Sequence, residues 1–158
     1  GPDHAAAQAR QMLAHINNVT IHDVVTNDIW IRDYGPTFVL DRHSRKMVAV
    51  DWKFNAWGGK HPPWDEDAAN ASRIANLLEV EVSSSDLTCE GGGIETDGEG
   101  TLLTTSSCLM SVHRNPQWSR EQIENELNHQ LGTEKVLWVD GGALAGDDTD
   151  SHIDQLVR

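Results

Sequence analysis

WIRDYGPTFVL, residues 30–40, sets an aromatic, a cation, an anion and a second aromatic just before a Gly35-Pro36 turn and a strand-forming run. The β-branched and aromatic content on either side of the turn reads as strand over 29–33 and again over 37–41. Successive side chains of a strand point to opposite faces, so Arg32 and Asp33 are expected on different sides. One such pair carries no chemistry by itself. What matters is whether a comparable polar position returns along the chain, and it does. Glu90 opens the Gly-rich stretch that ends at Gly100, and His152 closes the acidic stretch GDDTDSH, residues 146–152. The intervals, 33 to 90 and 90 to 152, are 57 and 62 residues. Each position lies at a strand end beside a Gly-rich or acidic turn, as if successive repeats of about sixty residues returned to one structural place.

The segments between fit that period. Ala6, Ala9, Leu13 and Ile16 at helical spacing predict a helix over 3–16. Strands are expected over 19–25 and 47–54, a Gly- and Pro-rich loop over 55–64, and a helix over 65–79 with acids in its first turn. Short strands follow around 79–83, 88–97 and 101–105, with DGEG (97–100) as a hairpin turn. Ser119, Gln122 and Gly132 supply a capping box and a stop for a helix over 119–132. KVLWV (135–139) reads as strand, and HIDQLVR (152–158) as the opening of another. The fold class is α/β, and residues 1–158 form one continuous piece. Gly1-Pro2 at one end and a strand-like run at the other lead us to expect a fragment of a longer protein.

At 158 residues the chain can bury a real core, and no run of eighteen apolar residues offers a membrane span. No basic-then-apolar leader opens it. Two cysteines without paired spacing, Cys89 and Cys108, fit a reducing, cytoplasmic setting better than a disulfide framework. A net charge of −13 argues against a nucleic-acid partner and suits a small cationic ligand, though acidic composition is also ordinary in soluble proteins.

CEGGGIETDGEG (89–100) lacks the following helix and the lysine that a phosphate loop requires. Its glycines instead allow backbone to approach a ligand closely, with Glu90 as a carboxylate at the pocket floor. On a strand, His152 and Asp154 share a face. A metal could use His-x-Asp, but no second histidine has ligand spacing, and the acidic run is out of register for a calcium loop. Several carboxylates and a histidine suit a guanidinium, which is planar, permanently charged and able to bond carboxylates in bidentate fashion.

WIRDYGPTFV (30–39), FNAWGGK (54–60), EGGGIETDGEGTLLTT (90–105), RNP (114–116), GDDTD (146–150) and HID (152–154) together resemble the agmatine deiminase and Porphyromonas-type peptidylarginine deiminase family. The resemblance runs in order from about residue 19 to the end. It implies the pentein fold, an α/β propeller of five ββαβ-type repeats about a pseudo-fivefold axis with the site in a central channel. It also implies that Asp33 and Asp154 grip the guanidinium, that Glu90 partners the histidine, and that His152 is the general acid and base. Trp30 matches an aromatic lining the channel. Asp148 falls where agmatine-specific members face the far end of the substrate, although that position is commonly Glu. On this reading Asp33 faces the channel, Arg32 makes a structural ion pair on the other side, and Tyr34-Gly35-Pro36 fixes the angle of exit.

The implied reaction is hydrolytic deimination, agmatine to N-carbamoylputrescine and ammonia, with no metal and no cofactor. The alternatives are deimination of arginine in peptides and a non-catalytic guanidino-binding fragment. A homo-oligomer is left open. The family nucleophile is a cysteine in a GGxxHC-like stretch near the C-terminus, and these 158 residues hold no such stretch. Cys89 and Cys108 read as core, so the chain alone is expected to be inactive.

Overall fold

The computed structural model describes residues 2–140 and 145–157. After helix α1 (Pro2–Leu13) and a one-turn helix α2 (Ile31–Tyr34), strands β1 (Thr37–Leu40) and β2 (Met47–Lys53) pair antiparallel, with Thr37 opposite Val50. The chain then passes through a short turn α3 (Ala56–Gly59) and helices α4 (Asp65–Ala68) and α5 (Asn70–Leu77) into β3 (Glu81–Thr88), which runs parallel to β2. A second unit repeats this wiring. Strands β4 (Ile94–Thr96) and β5 (Thr101–Thr105) form the antiparallel pair. Helical turn α6 (Ser106–Leu109) and helix α7 (Arg120–Leu131) cross to β6 (Lys135–Val139), parallel to β5. The sixty-residue period is thus a ββαβ unit used twice, giving sheets ordered β1-β2-β3 and β4-β5-β6. The described residues hold these two mixed sheets and no closed propeller.

Local chemistry explains the helix that best matches its signals. The Ser119 side chain accepts from the Gln122 amide while the Gln122 side chain accepts from the Ser119 amide, and Gly132 ends α7 in the left-handed region. Ile123 and Leu127, one turn apart, are wholly buried against the sheets. Removing each from water contributes about 1.5–3 kcal/mol. The core they enter takes Val50, Trp52 and Leu87 from the first unit and Ile94 and Leu102 from the second, so the two units share one interior.

Five expectations fail. Residues 29–33 are not a strand, because Ile31–Tyr34 forms a helical turn closed by Gly35 N to Ile31 O at 2.9 Å. Within that turn the consecutive residues Asp33 and Tyr34 are both buried. Residues 19–25 have no ladder partner; the Val25 carbonyl instead accepts from the Asn70 side chain at 3.1 Å. The predicted helix 65–79 is interrupted at Ala69, and the loop 55–64 contains the turn α3. Residues 153–155 form a 3₁₀ turn and not a strand, so period two does not govern His152 and Asp154. Among the described residues, no helix is long and apolar enough to cross a membrane.

Candidate active site

Asp33 and Glu90 each stand four residues ahead of the first strand of their unit, 33 before 37 and 90 before 94. Beyond Glu90, Gly91–Gly93 makes a 3₁₀ turn, and its middle glycine is where the site converges. The Gly92 amide donates to Asp33 Oδ1 at 3.0 Å. A Cβ added to Gly92 would lie 2.5 Å from His152 Nδ1, 2.7 Å from Asp33 Oδ1 and 2.9 Å from Asp154 Oδ2. No side chain fits there. The glycine is needed because backbone closely approaches the site's own side chains.

His152, 2% exposed, sits between two carboxylates. Its Nδ1 is 3.6 Å from Asp33 Oδ1 and its Nε2 is 3.6 Å from Glu90 Oε2. Both are electrostatic approaches longer than hydrogen bonds, and Nε2 is buried without a hydrogen-bond partner. Thr149 Oγ1 accepts from the His152 amide at 3.2 Å and anchors the residue. Ahead of it, Asp150 and Ser151 take φ of 63° and 64°, a left-handed step that turns the chain into the site.

Glu90 is wholly buried behind His152 and is not a wall of the cavity. Arg114 Nε reaches both of its oxygens, at 2.9 and 3.0 Å, and Cys108 Sγ lies 3.6 Å from Oε2. Burial pushes the Glu90 carboxyl up, but His152 and Arg114 together outweigh it and hold the group below the usual carboxylate range. Asp33 goes the other way. Burial dominates and raises it, despite the imidazole beside it and the bonds from Trp57 and Gly92. Burial also pushes the thiols of Cys89 and Cys108 well up, so both are protonated and unsuited to attack. Glu90, Cys108 and His152 bring donor atoms within 4.8 Å of one another, a grouping that could suggest a metal. Arg114 already neutralises Glu90 and would repel a cation placed there, so we assign none.

A cavity of about 450 Å³ opens over His152. Asp33, Trp57, His61, Asp154, Trp30 and Asp148 are among its walls. Trp57 Nε1 donates to Asp33 Oδ2 at 3.0 Å, so each Asp33 oxygen already accepts one bond. Trp57 reaches that position from α3, whose four residues have φ of 53°, 57°, 85° and 81°. Gly58 and Gly59 adopt such angles freely; Ala56 and Trp57 do so at about 1–2 kcal/mol each. Asn55 holds the turn, accepting from Gly58 N and donating to His113 O, both at 2.9 Å.

Arg32 does not point away from Asp33. Because the segment is helical, the Arg32 guanidinium lies at the cavity, with Nε 3.5 Å from Asp154 Oδ2 and Nη2 3.4 Å from Glu95 Oε2. Trp30 is 55% exposed at the cavity edge. The Asp148 side chain, 66% exposed, meets His61 Nε2 at 3.1 Å. The sequence alone gives Arg114 and His61 no place here; for the glycines after Glu90 it predicts close backbone approach to a ligand, and Gly92 is found packed against the site's own side chains. Arg114 stood in view within RNP, but only the folded chain shows it buried against Glu90.

The chain belongs to the Porphyromonas-type peptidyl-arginine deiminase family, whose pattern it matches over residues 2–158. Curated relatives from Vibrio parahaemolyticus and Enterococcus faecalis are 40% and 42% identical over 98% and 88% of this chain. The chain spans 43% and 39% of their respective lengths. A solved agmatine deiminase of E. faecalis superposes with a TM-score of 0.83 at 40% identity, covering 94% of this chain and 42% of that one. A C. jejuni agmatine deiminase with a cysteine replaced by serine and substrate bound gives 0.85 at 35% identity, covering 94% and 44%.

Proposed function

We propose that the whole protein hydrolyses the guanidino group of agmatine to N-carbamoylputrescine and ammonia. The observation that carries this reading is the convergence of Asp33, Asp154 and His152 on Gly92. Two carboxylates beside an imidazole can hold a planar cation by charge-assisted hydrogen bonds and leave a proton carrier at its face. Trp30 walls the alkyl chain, and Asp148 at the rim takes the far ammonium, roughly 6–8 Å from the guanidinium. That second acid favours agmatine over arginine in a peptide, whose corresponding end is neutral backbone.

The chemistry requires a nucleophile, and we place it on a cysteine outside these 158 residues. The serine-for-cysteine substitution in the substrate-bound C. jejuni protein supports this, as does the share of relatives' length that lies beyond the chain. The thiolate attacks the guanidinium carbon, a C–N bond breaks, and His152 protonates the departing ammonia. His152 then takes a proton from water as that water attacks the thiouronium carbon, expelling the thiolate and leaving the ureido product. Glu90, fixed by Arg114, orients and supports the imidazolium. In the whole protein we expect further ββαβ units to close a propeller around this cavity. The test is ammonia release from agmatine and from an arginine-containing peptide by the full-length protein. Preference for the peptide overturns the agmatine reading. The 158-residue chain alone should release none, and activity sensitive to replacing Cys89 or Cys108 would overturn the placement of the nucleophile.

A further inference from the structure

One wall of the cavity runs between two acids. Asp33 accepts from Trp57 Nε1, the Trp57 ring meets the His61 ring edge-on at 5.6 Å, and His61 Nε2 contacts Asp148 Oδ2 at 3.1 Å. All four residues line the cavity. Lys60, next in sequence, fixes the Asp148 turn by donating to the Asp148 carbonyl at 2.6 Å and to Asp150 Oδ1 at 2.8 Å. The protein thus brings its own ionisable group to the carboxylate at the far end of the pocket.

We propose that His61 is a specificity-determining residue, competing with the distal cation of a doubly charged guanidino substrate for Asp148. The inference rests on the far-end role given to Asp148 above and adds a proton-dependent competitor to it. An imidazole gains its charge between about pH 5 and 8. Protonated His61 pairs with Asp148 and repels an incoming ammonium; neutral His61 leaves the carboxylate's charge to the ligand. The charges facing the imidazole are Asp148 in contact, Lys60 and Asp150 beside it, and Asp28, Arg32, Asp33, His152 and Asp154 across the cavity. The guanidinium-end groups act on every guanidine alike, so their titration cancels in a ratio of two substrates. His61 and Asp148 are both half-exposed or more, and solvent screening keeps the competition to about two- to fivefold.

The test uses the full-length protein with agmatine and butylguanidine, which has the same chain length and no second charge. The readout is the ratio of their Michaelis constants at pH 8 and pH 6. The wild type should lose its preference for agmatine by about threefold on acidification. His61→Asn should keep the preference and remove its pH dependence. A pH-independent ratio in the wild type, or an unaltered pH dependence in His61→Asn, overturns the proposal. If Asp148→Asn leaves the agmatine preference intact, the far-end reading fails and this inference with it. If neither compound is turned over, the guanidino reading itself is wrong.

Discussion

Arg114 Nε lies 2.9 and 3.0 Å from the two oxygens of Glu90, with both side chains wholly out of solvent. The other two nitrogens of the guanidinium are engaged as well, donating to Asp150 Oδ2 at 2.6 Å and the Thr149 carbonyl at 3.1 Å. One arginine therefore ties the acidic turn that delivers His152 to the glutamate behind it. Removing only the cation would strand a buried carboxylate. Arg114→Met should cost about 3–5 kcal/mol of stability, and Glu90→Gln in the same chain should restore part of it. Chemical denaturation of the single and double variants measures this. An additive loss would mean that the two residues are not coupled.

The same pair sets an acid limit on the fold. Glu90 is held below its ordinary range in the folded protein, as are Asp147 and Asp150 through their bonds to Thr149 and Arg114 respectively. A depressed carboxyl contributes stability above its unfolded pKa and loses it as pH falls through its folded pKa. Asp33, raised by burial, has the opposite sign: its unfavourable contribution is relieved as pH falls. Stability should therefore decline from about pH 4.5 downward. Glu90→Gln should make that decline shallower, and an equally steep curve in the variant would remove Glu90 from the account.

Gly92→Ala tests the convergence directly. Its methyl would meet His152, Asp33 and Asp154 at 2.5, 2.7 and 2.9 Å, so at least one must leave its position. Binding of a guanidino ligand by the full-length protein should weaken tenfold or more, because a charge-assisted contact is worth roughly 1.5–3 kcal/mol. Affinity equal to the wild type would show that ligands do not use these three groups together.

What was legible in the sequence follows from how local each signal is. The capping box of α7 and the Gly132 stop act within one turn, and that helix was placed to within a residue at each end. The ββαβ period was readable because strand and helix alternate with clear patterning. IWIRD misled for a physical reason: its apolar residues look like a buried strand, yet Ile29 is 80% and Ile31 58% exposed. Arg32 was misplaced in consequence, since a helical turn swings it to the same cavity as Asp33. The Glu90–Arg114 pair spans 24 residues and depends on packing that no spacing encodes. Asp148 could be placed near the acidic turn, but its partner His61 comes from 87 residues upstream.

Trp57→Phe isolates one hydrogen bond while keeping a ring in the wall. Without the indole N–H, Asp33 Oδ2 loses its partner at 3.0 Å and a contribution that favours the ionised form. The Asp33 carboxyl should rise further, so the acid limb of ligand binding should move to higher pH. An unmoved pH profile in full-length Trp57→Phe would show that the bond has no part in setting the charge of Asp33.

The position of Arg32 bears on how Asp154 meets a ligand. Its Nε lies 3.5 Å from Asp154 Oδ2, where a substrate guanidinium would also bind, and the Arg32 side chain is 58% exposed. A protein guanidinium and a ligand guanidinium want the same planar arrangement of carboxylate lone pairs. Asp33→Asn and Asp154→Asn should each weaken butylguanidine binding to the full-length protein by ten- to a hundredfold, the equivalent of roughly 1.5–3 kcal/mol. If both variants bound normally, the pocket would not be a guanidinium site. Arg32→Ala should have the reverse sign, tightening binding severalfold by freeing Asp154, with the gain absent when Asp154→Asn is also present. Calorimetric titration of the four proteins decides between two arrangements. A gain confined to the Asp154 background means Arg32 competes with the ligand, whereas a loss means that Arg32 holds Asp154 in the orientation the ligand requires.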